Sequence, residues 1–162
     1  MMQISLIAPT RWLRIGLMSL LVFTASTLPG VANADATPDT DCFKEAGVYQ
    51  GVNPIILKAI AWFESKGDPE AVHRNADGSI DVGQAQINSV HFGELRRNGV
   101  PPGALKNACV NIYVAAWMLK QKMLRYGNTW TAIGAFHSET PKLRDEYARN
   151  IHAVLVSWGT SN

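Results

Sequence analysis

Pro54-Ile-Ile-Leu-Lys-Ala-Ile-Ala-Trp-Phe-Glu-Ser65 is the stretch that decides the fold. Asn53 ahead of it is a capping residue, and proline suits the first helical position because its missing N–H is not needed there. Lys58 is the only charge before Glu64. A segment apolar on every side is a helix that other elements must cover. Gly67-Asp68-Pro69 then ends it.

Toward the C-terminus, Asn75, Asp77-Gly78 and Gly83 are turn residues in an irregular stretch that runs to about residue 88. Asp77-Gly78 between short alternating segments predicts a small hairpin. Ser89 opens a helix that ends near Asn98-Gly99, and Pro101-Pro102-Gly103 reads as a turn. A long helix is expected over residues 107–126, with Gly127 past its end. Residues 129–137 and 143–157 follow as helices, the last presenting Tyr147, Ile151, Val154 and Leu155 at helical spacing. Toward the N-terminus, Asp41 is placed to cap a helix over residues 42–49, and residues 35–40 read as a loose leader. The expected architecture is one mainly α domain with a small β-hairpin excursion.

Residues 1–34 read as a targeting segment rather than as fold. Arg11 and Arg14 precede an apolar run from Ile15 to Phe23, and Ala32-Asn33-Ala34 supplies an A-x-A site. These features together describe a secretory signal peptide cleaved after Ala34, leaving a mature chain over 35–162. A membrane anchor is the rival reading, but Thr24, Ser26 and Thr27 interrupt an already short run. Export implies an oxidising compartment, the periplasm. There Cys42 and Cys109, the only cysteines, are expected to bridge. Closing so long a loop stabilises a fold by roughly 4 kcal/mol in the chain-entropy picture.

Hydrophobic residues make up 47% of the chain and charged residues 17%, with a formal net charge of +2. This excludes a disordered chain, and without a clustered basic run it argues against nucleic-acid binding. His73, His91, His137 and His152 show no metal-ligand spacing, so neither a metal nor a cofactor is expected. Trp62, Trp117, Trp130 and Trp158 could stack on sugars, although packing accounts for most such residues.

Two segments carry candidate chemistry. Glu64 has Ala61, Ile60 and Leu57 at the preceding helical positions, so its carboxyl either leans over an apolar stripe or bends out to solvent. In the first case desolvation and the negative helix end both raise its pKa, as a general acid requires. Asp81-Val82-Gly83-Gln84-Ala85-Gln86-Ile87-Asn88-Ser89 concentrates amides beside a glycine. Amides there could meet sugar hydroxyls and acetamido groups, or tie down the loop itself, and Gly83 could let backbone approach a ligand.

Glu64-Ser65 followed by that segment resembles the core of the lytic transglycosylases, enzymes with the lysozyme-like fold of goose-type lysozymes. Gly83, Gln86, Ile87 and Asn88 are similar to the family's G-x-x-Q-I-N pattern. Ala135-Phe136-His137-Ser138 falls where the family has an Ala-Tyr-Asn-type motif, and Tyr147-Ala148 matches its later tyrosine motif. Cys42 and Cys109-Val110-Asn111-Ile112 resemble small members that accompany type III or type IV secretion systems, conjugation machines and pili. The chain departs from the pattern at Gln84-Ala85, where Leu-Met is common, and at Phe136 and His137, where Tyr and Asn are usual.

The resemblance implies cleavage of peptidoglycan between N-acetylmuramic acid and N-acetylglucosamine, with Glu64 as acid and then base and a 1,6-anhydro product. It implies substrate contacts from Ser65, Gly83, Gln86, Asn88, Phe136, His137 and Tyr147, with the Tyr147 hydroxyl bordering Glu64. A usual glycosidase needs two carboxylates, and Asp77 and Asp81 are the available partners if the enzyme is instead a hydrolysing lysozyme. A peptidoglycan-gripping subunit of a secretion apparatus is the non-enzymatic reading. In either case the expected partners are glycan strands and components of such a machine. The protein is expected to be a monomer with no membrane anchor after cleavage.

Overall fold

The computed structural model describes residues 38–160, and the expected signal peptide and its cleavage site lie outside them. Six α-helices are described: α1 (Pro38–Gln50), α2 (Pro54–Ser65), α3 (Phe92–Arg97), α4 (Ala108–Tyr126), α5 (Trp130–His137) and α6 (Pro141–Ser157). Three short strands fall between α2 and α3: β1 (Val72–Arg74), β2 (Ile80–Val82) and β3 (Ile87–Asn88). They form one antiparallel sheet in the order β1-β2-β3, with Val72 opposite Val82 and Asp81 opposite Asn88.

The helix starts follow local chemistry. Asn53 caps α2 through its side chain, Asn107 caps α4 by accepting from the Val110 N–H, and Thr129 caps α5. α1 starts at Pro38, earlier than Asp41, so residues 38–40 are helical rather than loose; proline again takes the first position. Ser89 opens a turn of 3-10 helix, Ser89–His91, before α3, and the expected turn after Pro101 is also a 3-10 helix, Pro102–Lys106. β3 was not anticipated, because two residues are too few to show alternation.

α2 lies against α1, α4 and α6. Leu57, Ala59, Ile60 and Ala61 are buried, yet Trp62 is 44% exposed, so the helix is covered on most sides rather than all. Leu57, Ile60, Ile112, Leu119 and Ile151 meet in the core with almost no exposure. Burying each such side chain contributes about 1.5–3 kcal/mol. α2 ends at Lys66, whose left-handed backbone turns its N–H back onto Ala61 and Trp62 carbonyls. Glu64 is thereby fixed in the last turn, facing the sheet side of the domain.

Cys42 and Cys109 are disulfide-bonded, with Cα atoms 5.2 Å apart. The bridge joins α1 to the first turn of α4. None of the described helices is long and apolar enough to cross a membrane.

Candidate active site

Glu64 borders a cleft of about 620 Å3 between the hairpin, the start of α3, α4 and the end of α5. Burial raises its pKa to about 7, against an ordinary carboxyl value of 4.5. Removing a charge from water outweighs the opposing effect of a hydrogen bond from Tyr147, and the nearby Asp81 charge raises the value further. Near neutrality this carboxyl can both hold and release a proton.

Tyr147, on α6, is 3% exposed. Its hydroxyl donates to Glu64 Oε1 at 2.6 Å. Burial, followed by the Glu64 charge, pushes the phenol pKa upward, so the group remains a donor. The His137 ring stacks on Tyr147 with 4.9 Å between centroids and 4° between planes. Phe63 meets the same ring edge-on at 5.5 Å, and Phe136 lies 6.4 Å away. This aromatic cluster requires α5 and α6 to approach closely. Gly134 permits it, since a Cβ there would stand 2.2 Å from the Arg144 carbonyl oxygen.

The hairpin supplies the opposite wall. Asp81 accepts from Asn75 Nδ2 at 2.8 Å and from Asn88 Nδ2 at 2.7 Å, one amide on each carboxylate oxygen. Ser79 Oγ accepts from the same two amides and donates to Asp77 Oδ1. Asn88 therefore faces the cleft with its amide committed within the wall; its Oδ1 accepts from the Val90 N–H. Gln86 also lines the cleft, in the left-handed region at φ 48°, with Nε2 bonded to the Gly83 carbonyl. Such a backbone is costly for a residue with a side chain. His91, Asn75 and Met118 are among the other lining residues. Sequence reasoning missed all three; His91 is half-buried with its pKa lowered by desolvation.

Three expected contact residues, Ser65, Gly83 and Tyr147, are not among the residues that line this cleft, and Tyr147 meets it through its bond to Glu64. Ser65 Oγ donates to the Gln84 carbonyl at 2.9 Å and accepts from the Asp68 N–H. It pins the end of α2 to the amide loop and is not among the cleft-lining residues. Gly83 is buried and packs against α4 and the turn before it. A Cβ there would lie 2.2 Å from Asn111 Nδ2 and 2.4 Å from the Leu105 carbonyl oxygen. Asn111, fully buried, donates to the Val82 and Leu105 carbonyls and accepts from the Ala85 N–H. The glycine is needed for packing onto this asparagine, which fastens the loop to α4.

Residues 41–152 match the Transglycosylase SLT domain family. The chain belongs to this family. Among its relatives, Invasion protein IagB of Salmonella typhimurium is 37% identical over 68% of this chain and 72% of the relative. Protein IpgF of Shigella flexneri is 38% identical over 69% and 77%. The X polypeptide of Escherichia coli is 35% identical over 69% and 67%. The protein is thus a lytic transglycosylase with a lysozyme-like fold, and peptidoglycan is its substrate. In this transglycosylase the departure at Gln84 is a buried one. Its Nε2 donates to the Ala108 carbonyl, while Oε1 has no partner. The departures at Phe136 and His137 lie in the cleft wall, His137 being exposed and stacked on Tyr147.

Proposed function

We propose that the enzyme cuts the β-1,4 bond between N-acetylmuramic acid and N-acetylglucosamine with Glu64 as the single acid and base. The observation that carries this reading is a carboxyl with a pKa of about 7, set in a cleft and held through one oxygen by Tyr147. With Oε1 occupied, Oε2 is the oxygen that carries the proton. Glu64 gives this proton to the glycosidic oxygen as the bond from the anomeric carbon breaks. The carboxylate then takes the proton of the muramoyl 6-hydroxyl, whose oxygen bonds to the anomeric carbon. The products are a 1,6-anhydromuramoyl end and a free 4-hydroxyl, and Glu64 is protonated again. No water is consumed.

Asp81 favours a second reading. It lines the cleft and its charge is felt at Glu64, so it could position a water on the opposite face of the sugar and make the enzyme a hydrolase. Its two oxygens are already held by Asn75 and Asn88, which supports a fixed electrostatic role instead. Asp77 is exposed, and its Oδ1 is engaged with Ser79.

We place the enzyme in the periplasm, exported through residues 1–34, where it opens the wall locally for a secretion, conjugation or pilus apparatus. Support comes from the resemblance of its cysteine pattern to small members of that type and from a relative named an invasion protein. Products released from purified sacculi, identified by mass, test the chemistry. Anhydro-muropeptides are expected; products heavier by one water would establish hydrolysis. The Glu64→Gln variant should release neither, whereas release at the wild-type rate would remove Glu64 from the mechanism.

A further inference from the structure

Glu64 stands between two spaces. One is the cleft described above. The other is a hollow of about 190 Å3, lined by Phe63 of α2 and by Leu143, Glu146, Tyr147 and Asn150 of α6. Among the described residues, only Glu64 and His137 line both. The carboxyl therefore borders open space in two directions, and His137 occupies the margin between them.

The His137 ring lies flat on that of Tyr147, with planes 4° and centroids 4.9 Å apart. Tyr147 is 3% exposed, whereas His137 is itself exposed. The imidazole is thus the outer layer of a stack, and the phenol is the inner layer whose hydroxyl donates to Glu64 Oε1 at 2.6 Å. Phe63 holds the same phenol edge-on from α2, 5.5 Å away. A ring laid on a ring leaves little room for water. Asparagine, usual at this position in the family pattern, has no ring to lay there. Burial is the largest influence on the Glu64 carboxyl, and burial is the sum of the groups that keep water out.

We propose that His137 is a positioning residue whose ring covers Tyr147 and keeps water from the Tyr147–Glu64 hydrogen bond. In this enzyme an aromatic side chain shields the acid at a position where an amide is usual. The effect on turnover rests on the reading of Glu64 as acid and base; the cover itself does not. Other titratable groups border the same two spaces: Asp77 and Asp81 on the hairpin, His91 ahead of α3 and Glu146 on α6. Replacing His137 leaves all of them in place.

His137→Asn and His137→Phe test this. Both remove the imidazole nitrogens and any charge on them, and only Phe keeps a ring over Tyr147. His137 is exposed at the last position of α5, so neither change opens the core. The Glu64 carboxyl is titrated by carbon NMR in the wild type and both variants, without substrate. The pH profile of kcat is measured on a soluble peptidoglycan tetrasaccharide. The carboxyl should titrate about half a pH unit lower in the Asn variant than in the Phe variant, because water reaches it. The alkaline limb of kcat should move down with it. Equal titration in the two variants would mean that the ring excludes nothing, and would overturn the proposal. So would a higher value in the Asn variant, the mark of a lost Tyr147 bond rather than of admitted water. If the carboxyl moves as expected while the alkaline limb stays in place, the reading of Glu64 as the acid fails and the cover stands.

Discussion

The Tyr147 hydroxyl on α6 donates a 2.6 Å hydrogen bond to Glu64 Oε1 at the end of α2, across 83 residues of chain. This bond lowers the Glu64 pKa against the larger effect of burial, and it fixes which carboxyl oxygen is free. Tyr147→Phe keeps the ring, and with it the stack on His137, but removes the donor. Activity on sacculi should fall about 10²-fold, as for loss of one well-placed donor at a reacting centre, with little change in unfolding temperature. The high-pH limb of activity should move upward, because the influence that lowered the Glu64 pKa is gone. Full activity in the Phe variant would reduce Tyr147 to a packing residue.

A raised carboxyl pKa also leaves a mark on stability. In the folded enzyme Glu64 titrates at about 7 instead of 4.5, so between those values the native state binds more protons than the unfolded state. Stability contributed by the protonated group is therefore lost as pH rises through this window. Glu64→Gln has no such titration. The variant should gain on the wild type from pH 4.5 to 8, by roughly 2–3 kcal/mol, in urea unfolding at the two pH values. Wild-type activity should decline above about pH 7, as the acid loses its proton. A stability difference that ignores pH would place the Glu64 pKa near its ordinary value.

Asn111 connects the amide loop to α4 through three hydrogen bonds to backbone groups of Val82, Leu105 and Ala85. Asn111→Ala leaves these groups buried and unpaired, so a loss of about 3 kcal/mol is expected in chemical denaturation. Activity should fall even where the variant remains folded, since Gln86 and Asn88 sit on the loop it secures. A variant as stable as the wild type would mean that water replaces the amide.

Gln84 is fully buried with Oε1 unpaired. Leu at this position removes the unpaired acceptor and costs only the bond to the Ala108 carbonyl. Gln84→Leu should stabilise the enzyme by about 1 kcal/mol, seen as a higher thermal midpoint with unchanged turnover. A destabilised variant would show that the Ala108 bond outweighs the orphaned oxygen.

The sequence by itself determined the helices, because capping residues, prolines and 3.6-residue periodicity act over one or two turns. Asn53-Pro54, Asn107 and Thr129 mark starts that the structure shares, and the apolar run ending at Glu64 places that carboxyl on the last turn of α2. The hairpin at Asp77-Gly78 was legible for the same local reason. Only the tertiary structure decided what surrounds Glu64. Its pKa depends on how much water α6 and the hairpin exclude, and periodicity carries no information on that. It also decided what Gly83 and Ser65 touch within the protein. Gly83 packs on Asn111, and Ser65 ties the end of α2 to the amide loop. The Asp81 clamp by Asn75 and Asn88 and the entry of His91 into the cleft arise from strand pairing and from the packing of α3. These are contacts between segments, and their free energy depends on desolvation and close approach, which no local stretch of the chain encodes alone.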